Sequence, residues 1–515
     1  HRNDFAVIFS IMKKKVVIIG AGINGLIAAN YLSRAGFEVH LIEKKNNVGG
    51  ACVSESITLN ESSHQYALGA SVLGLMQRFI FEETGLSKYL ETFVPMEPKL
   101  VYFPEDNEPT KIYRNPEELD QELSKKWNEK GNVKKFRSDE LKVIQFLQQG
   151  YRAAKNPTIE DAVHCLGNEL TDLWIQGDAK SLLDYYFTSE KTKTYMAMTV
   201  SESGPVSLKE PYSAFTLPMM DSGSIFEGYY GFVRGGIWRV SEALYDINSK
   251  LGVEINTSAE ILAIDTNNNQ LSYIKDHSEC NIEYDYLLFG TDPLTAAKLI
   301  EDNVLIDSIE SQDLKGTSGK LNMMFSNPIK WKSGPDTSFR FIFSVKDTKE
   351  FENATLEAIS DDIDYAPGFM QIYCEGAAMR HLGSNDQYDR LAIFLKNISF
   401  DKEGDKIPKI EGQIKNKVLE YIENPEDCIW SRLLTPKDLK NIFYFPQGNI
   451  DHTALTNGQS YFDRTYSSQP DTNFYQLSDY ENLYICGAST YPCGSIAGTP
   501  GYMCSQQLIR NTNRK

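Results

Sequence analysis

Near its start the chain changes hydrophobic period twice. Val16, Val17, Ile18 and Ile19 form an unbroken apolar run, the signature of a parallel strand covered on both faces. From Ile23 to Ala35 the apolar positions Leu26, Ala29 and Leu32 recur at helical spacing, predicting a helix with one buried face. Glu38-Val-His-Leu-Ile42 then returns to strand and ends at Glu43. The joint between the first strand and the helix reads Gly20-Ala-Gly22-Ile-Asn-Gly25.

Farther along, two more stretches carry the same kind of pattern. In residues 228–295, Gly235-Gly236 precedes an amphipathic helix with Ile237, Val240, Leu244 and Ile247 on one face. Strands follow at Val253–Ile255 and Glu260–Asp265, a turn at Asn267–Asn269, and a buried strand at Tyr284–Phe289 ending in Gly290-Thr-Asp. Residues 480–515 hold a strand, Leu483–Cys486, a glycine-rich turn and a final helix. The segments 13–71, 228–295 and 480–515 are therefore expected to build one Rossmann-type α/β domain. The insertions 72–227 and 296–479 are expected to form an α+β substrate domain. They contain helical stretches at Pro116–Lys126, Ser138–Ala154 and Ile410–Tyr421, and strand-like runs at Phe339–Phe343 and Ala392–Phe394. Residues 1–12 precede or include Met12 and read as a vector remnant or an alternative start.

The strand–turn–helix setting gives the three glycines a mechanism. Gly20 permits the tight turn, Gly22 lets backbone approach a pyrophosphate, and Gly25 lets helix pack on strand. The helix aims its N-terminal amides at the phosphates. Glu43 stands where an acid accepts the hydroxyls of an adenosine ribose. Lys44-Lys45-Asn-Asn-Val48-Gly49-Gly50-Ala51 adds a second close backbone approach, which favours FAD over NAD.

Composition narrows the partners. The 515 residues are 41% hydrophobic and 24% charged, ordinary for a globular protein with two or more domains. A net charge of -18 opposes binding to nucleic acid or electrostatic docking on anionic lipid, and leaves apolar membrane contact open. The aromatic and methionine-rich stretch Tyr212–Phe232, with Phe215, Leu217, Met219, Met220, Ile225 and Phe226, is the candidate for such an entrance, though ordinary core of the substrate domain is the preferred reading. No apolar run reaches transmembrane length. Eight scattered cysteines without C-x-x-C and seven histidines without metal spacing predict a cytoplasmic protein with reduced thiols and no metal. No nucleophile–base arrangement for a hydrolase appears.

With these segments in place, the chain resembles the phytoene-desaturase-like branch of the FAD-dependent amine-oxidase/desaturase superfamily. The resemblance rests on Val16–Ala51, Tyr230–Ile237, Gly448-Asn-Ile-Asp-His452 and Asn482–Gly498. In order and spacing it is most similar to the proteins named pyridine nucleotide-disulfide oxidoreductase domain-containing. Two departures stand out. The last strand ends Gly487-Ala488-Ser489 instead of Gly-Asp, and Cys493-Gly494-Ser495 replaces a run of glycines.

The resemblance implies a flavoprotein. Its cofactor-binding residues are expected to be Gly20, Gly22, Ile23, Asn24, Gly25, Glu43, Lys44, Gly49, Gly50, Ala51, Arg234, Ile261, Gly487, Ala488, Ser495, Ile496 and Ala497. Thr499 as N-cap with Pro500 behind it would start the final helix, placing amides of Ile496, Ala497 and Gly498 at the flavin. Catalytic candidates are His452, Arg234, Tyr491 and His64, each with a structural alternative, and Tyr229, Tyr230 and Tyr491 suggest an aromatic cage. Nothing in the spacing of Cys493 demands covalent flavin attachment. The expected chemistry is removal of two electrons from a small-molecule substrate, with a lipophilic one among the options. An amine or amino-acid oxidase, a double-bond isomerase and a non-enzymatic flavin-bearing protein remain alternatives. Substrate, electron acceptor and oligomeric state have no motif.

Overall fold

The computed structural model describes residues 13–202, 204–400 and 406–514, so the reading of residues 1–12 lies outside the described residues. A five-stranded parallel sheet organises one half, in the order Leu483–Ile485, Tyr286–Phe289, Lys15–Ile19, Glu38–Ile42, Glu254–Asn256. The central strand is apolar throughout because both its faces are covered. Val16 and Ile18 pack with Leu26, Ala29 and Leu32, while Val17 and Ile19 pack with Ala259, Leu271 and Ala296 on the other side. The helix Ile23–Arg34 lies between the helices Arg239–Lys250 and Thr499–Arg514 on the first face. A three-stranded antiparallel sheet, Ala259–Asp265, Gln270–Lys275 and Ser278–Glu283, covers the second. The parallel register brings Ile19, Ile42, Phe289 and Ile485 to the same edge, the edge at which such sheets bind ligands.

A second sheet has seven strands, ordered Cys428–Leu434, Gly319–Phe325, Asp389–Leu395, Phe369–Tyr373, Phe339–Phe343, Lys99–Tyr102, Thr110–Ile112. All its pairings are antiparallel except Phe339–Phe343 with Lys99–Tyr102. Strand alternation sorts its residues. Leu100, Ile342, Met370 and Ile372 join Ile410, Ile414 and Val418 of the helix Lys406–Leu419. Lys99, Phe339, Phe341, Gln371 and Tyr373 face the other way, toward a cavity.

Several expected boundaries move. The helix expected from Ser138 begins at Val133, where the Asn132 side chain accepts from the Lys135 amide at 3.0 Å and stops fraying. The final helix begins at Thr499 itself, so that residue is its first position and not its N-cap. Of the two readings of Tyr212–Phe232, the structure gives ordinary core and not an entrance. Phe215, Leu217, Met219, Met220 and Ile225 are buried, and Phe215 packs edge-on against Tyr461 at 5.1 Å. Among the described residues no helix is long and apolar enough to cross a membrane.

Candidate functional site

The turn after the first strand is built for something outside the chain. Gly25 has an internal reason to be glycine, since a Cβ there would lie 2.2 Å from the Gly20 carbonyl oxygen. Gly22 has no steric one: its φ of -67° suits any residue and an added Cβ would meet nothing within 4 Å among the described residues. The helix that follows has no side-chain cap and no acidic residue in its first turn. Its leading amides and the positive end of its dipole are thus left for an anion. The Asn24 Oδ1 is buried there without a hydrogen-bond partner among the described residues.

Glu43 ends the second strand with its backbone amide donating to the Asn256 carbonyl at 2.8 Å. Its carboxylate accepts from the amides of Ala21 at 2.8 Å and Lys45 at 2.9 Å. Those bonds hold both oxygens in place and leave each a lone pair. Gly49 donates to the Ala21 carbonyl at 2.7 Å, which presses the second glycine pair against the first.

These groups line one side of a groove of about 360 Å³ whose other side comes from the far end of the chain, Ala488 and Gly494–Gly498. The Asp451 carboxylate fixes the distal turn by accepting from the Gly494 amide at 2.7 Å. Buried Arg464 reinforces it, donating to the carbonyls of Asp451 and Ala488 at 2.9 Å each. Of the three amides expected at the flavin, Ala497's donates within the turn to the Gly494 carbonyl at 3.3 Å.

The groove gathers Gly20, Gly22, Ile23, Asn24, Glu43, Lys44, Gly49, Gly50, Ala51, Ile261, Ala488, Ser495, Ile496, Ala497 and His452. Gly25 and Gly487 stand behind its wall as packing glycines, Gly487 against the Thr291 carbonyl. His452 takes φ +67°; its imidazole is pushed down to about 4, chiefly by burial, and its Nδ1 has no partner among the described residues. It is therefore a neutral imidazole at the groove.

The other candidates lie elsewhere. Arg234 is a surface residue, paired through two bonds of 2.6 and 2.8 Å with Glu91. Glu91, brought in by another segment, satisfies the charge that the flavin was expected to meet. Tyr491 is buried among Tyr151, Tyr461 and Phe474, with its carbonyl accepting from the Tyr475 hydroxyl at 2.8 Å. His64 sits in the hairpin strand Ser62–Ala67 with its ring against Tyr388. Burial holds the Cys493 thiol well above its usual range, the reverse of an activated thiolate. Tyr229 and Tyr230 face a different cavity and form no cage with Tyr491.

That second cavity, about 690 Å³, lies between the seven-stranded sheet and the helix Val133–Arg152. Its wall is charged. Arg137 pairs with Glu140 at 2.6 Å, and the Gln371 amide donates to Glu202 at 2.7 Å. Burial, with Asp221 nearby, pushes the carboxyls of Glu140 and Glu202 up to about 7. Burial pushes Lys99 down. Lys396 is buried behind Glu202: its ammonium donates to the Glu202 carbonyl at 2.7 Å and to the Ser318 hydroxyl at 2.6 Å. Burial pushes this lysine down to about 7. Sequence reading missed every one of these groups, along with Thr291, Asp292 and Phe443–Phe445 at the groove. They come from separate segments with no local motif; only Gly448–His452 hinted at Asp451.

Known proteins agree with this architecture. Residues 18–78 match the NAD(P)-binding Rossmann-like domain family. The chain is 23% identical over 560 residues to pyridine nucleotide-disulfide oxidoreductase domain-containing protein 2 of Rattus norvegicus, covering 96% of this chain and 93% of that one. It is 24% identical to a 4,4'-diapophytoene desaturase of Staphylococcus aureus, covering 96% and 97%. Among solved structures, a putrescine oxidase double mutant superposes with a TM-score of 0.59 at 14% identity, over 98% of this chain and all of the other. Cyclohexylamine oxidase from Brevibacterium oxydans gives 0.59 at 13%, over 98% and 100%. The chain thus carries an NAD(P)-binding Rossmann-like domain within the fold of these amine oxidases, and is similar nearly end to end to desaturases and to the pyridine nucleotide-disulfide oxidoreductase domain-containing proteins.

Proposed function

We propose that the chain is an FAD-dependent oxidoreductase that dehydrogenates a small molecule held in the second cavity. The observation that carries the reading is the groove itself, in which an N-terminal phosphate turn and a C-terminal glycine-rich turn face each other. Gly22 supports it further, being a glycine that no steric contact among the described residues requires. When bound, the flavin accepts two electrons from substrate and delivers them to oxygen, a quinone or another small acceptor.

The chain supplies position and charge. The amides at Gly22 and Ile23 receive the pyrophosphate, and Glu43 accepts from ribose hydroxyls. The start of the helix Thr499–Arg514 directs a positive dipole end at the distal groove. Neutral His452 offers that groove a hydrogen-bonding nitrogen without adding charge. Glu202, poised near neutrality, is the cavity group best suited to move a proton.

The charged cavity favours a second, narrower reading, a flavin amine or amino-acid oxidase that produces peroxide. Both are tested on the purified protein. Retained FAD, bleached anaerobically by a metabolite, marks the oxidoreductase, and peroxide on admitting air marks the oxidase. A folded protein that binds no FAD refutes both.

A further inference from the structure

The cations of the second cavity are not all spoken for. The Lys99 ammonium has no hydrogen bond and no carboxylate within 4.0 Å among the described residues; its neighbours are the rings of Phe339 and Phe341, 5.9 and 5.7 Å away. The Arg114 guanidinium stacks 3.8 Å from the centre of the Tyr229 ring. It donates to the Pro95 carbonyl and, at 3.6 Å, to Met96 Sδ, and pairs with no carboxylate among the described residues. Of the cavity's acids, Glu140 pairs with Arg137, Glu202 accepts from Gln371 and Glu97 accepts from the Ser338 amide at 3.1 Å, while Asp221 and Glu202 act on Lys99 from across the space without reaching it.

We propose that this cavity takes its small molecule by a carboxylate, seated between the Lys99 ammonium and the Arg114 guanidinium. Both cations line the same cavity, where burial lowers the lysine's affinity for its proton against the pull of Asp221 and Glu202. An unpaired ammonium in such a wall is costly unless a ligand neutralises it. A planar guanidinium with unused donors matches a carboxylate edge. The acids Glu202 and Asp221 share the same space and oppose a doubly charged phosphate, whereas a single negative charge complements Lys99 and Arg114. At about 690 Å³ the cavity has the size of a small-molecule site. A long apolar chain drawn through it would strand these charged groups without partners. The inference rests on the proposed function only for what happens to the molecule after it binds.

Ligand-observed NMR and calorimetry on the purified full-length protein test it with a panel of monocarboxylates from acetate to 4-phenylbutyrate. The matched amides, the matched amines and inorganic phosphate complete the panel. At least one carboxylate should bind at least tenfold more tightly than its amide and amine. Lys99→Met and Arg114→Met should each weaken that binding at least tenfold. Lys99→Met should leave the melting temperature close to the parent's, because the ammonium makes no hydrogen bond or close ion pair among the described residues that the variant would break. Three outcomes overturn the proposal: no carboxylate binds, an amine or phosphate binds more tightly, or both variants bind as the parent does. The readout does not involve flavin. Carboxylate binding by a protein that takes up no FAD would sink the proposed function and leave this inference standing.

Discussion

Replacing Gly22 by alanine separates a cofactor's demands from those of the fold. The position has φ -67° and ψ 173°, and a methyl group there meets no atom of the described residues within 4 Å. Gly22 precedes the helix Ile23–Arg34 as its N-cap, where alanine is worse than glycine by about 0.5–1 kcal/mol. The substitution also stiffens the unfolded chain, a gain of about 0.4–1 kcal/mol. The two terms nearly cancel, so flavin-free Gly22→Ala protein should unfold within about 1 kcal/mol of the parent. A bound pyrophosphate would have to share the methyl's space and would give up at least one charge-assisted hydrogen bond, about 1.5–3 kcal/mol. FAD affinity should fall roughly 10- to 150-fold. Denaturant melts of the flavin-free proteins measure the first quantity, and titration of FAD followed by flavin fluorescence measures the second. Gly25→Ala is the contrast. Its Cβ would sit 2.2 Å from the Gly20 carbonyl oxygen, so it should lose about 1–3 kcal/mol of stability with or without flavin. A folded Gly22→Ala protein that binds FAD as tightly as the parent would refute the reasoning.

Three further outcomes follow from the same geometry. Glu43→Gln keeps the side chain's size but loses charge and one acceptor, so FAD should bind about 1.5–3 kcal/mol more weakly; unchanged affinity in a titration removes Glu43 from the ribose site. His452, with a folded value of about 4 against 6.5, binds its proton in the unfolded chain first. Its contribution to flavin-free stability is therefore full above pH 6.5 and is lost as pH falls toward 4, by about 3 kcal/mol. Glu140 and Glu202, raised to about 7, act in the opposite sense from about 4.5 to 7, stabilising as pH falls. The comparison is therefore the pH series of the parent minus that of His452→Asn, and a flat difference would count against the buried neutral imidazole. Finally, the sequence has one dinucleotide fingerprint and no C-x-x-C pair, so stopped-flow mixing with NADH or NADPH should give no rapid bleaching of the flavin. Fast, saturable bleaching would revive a nicotinamide-dependent reductase.

Local sequence was enough to determine the nucleotide half. The apolar run Val16–Ile19, the glycines at 20, 22 and 25 and the acid at 43 are close neighbours in the chain. Strand, turn, helix and strand are specified there by period and by backbone permissiveness, both short-range properties. The same logic located Ser495–Ala497 at the groove, because a strand followed by a glycine-rich turn and a helix has only one way to meet a parallel sheet. Single charged residues were a different matter. Arg234 beside paired glycines suggests a flavin contact, yet Glu91 captures it at the surface. His64 and Tyr491 are equally plain residues that end in packing. Only the tertiary structure decided the second cavity, since Lys99, Arg114, Arg137, Glu202 and Asp221 meet there from separate strands, helices and loops. What makes them a site is the burial of charge at close range, and that energy does not exist until the seven-stranded sheet and the helix Val133–Arg152 close around them.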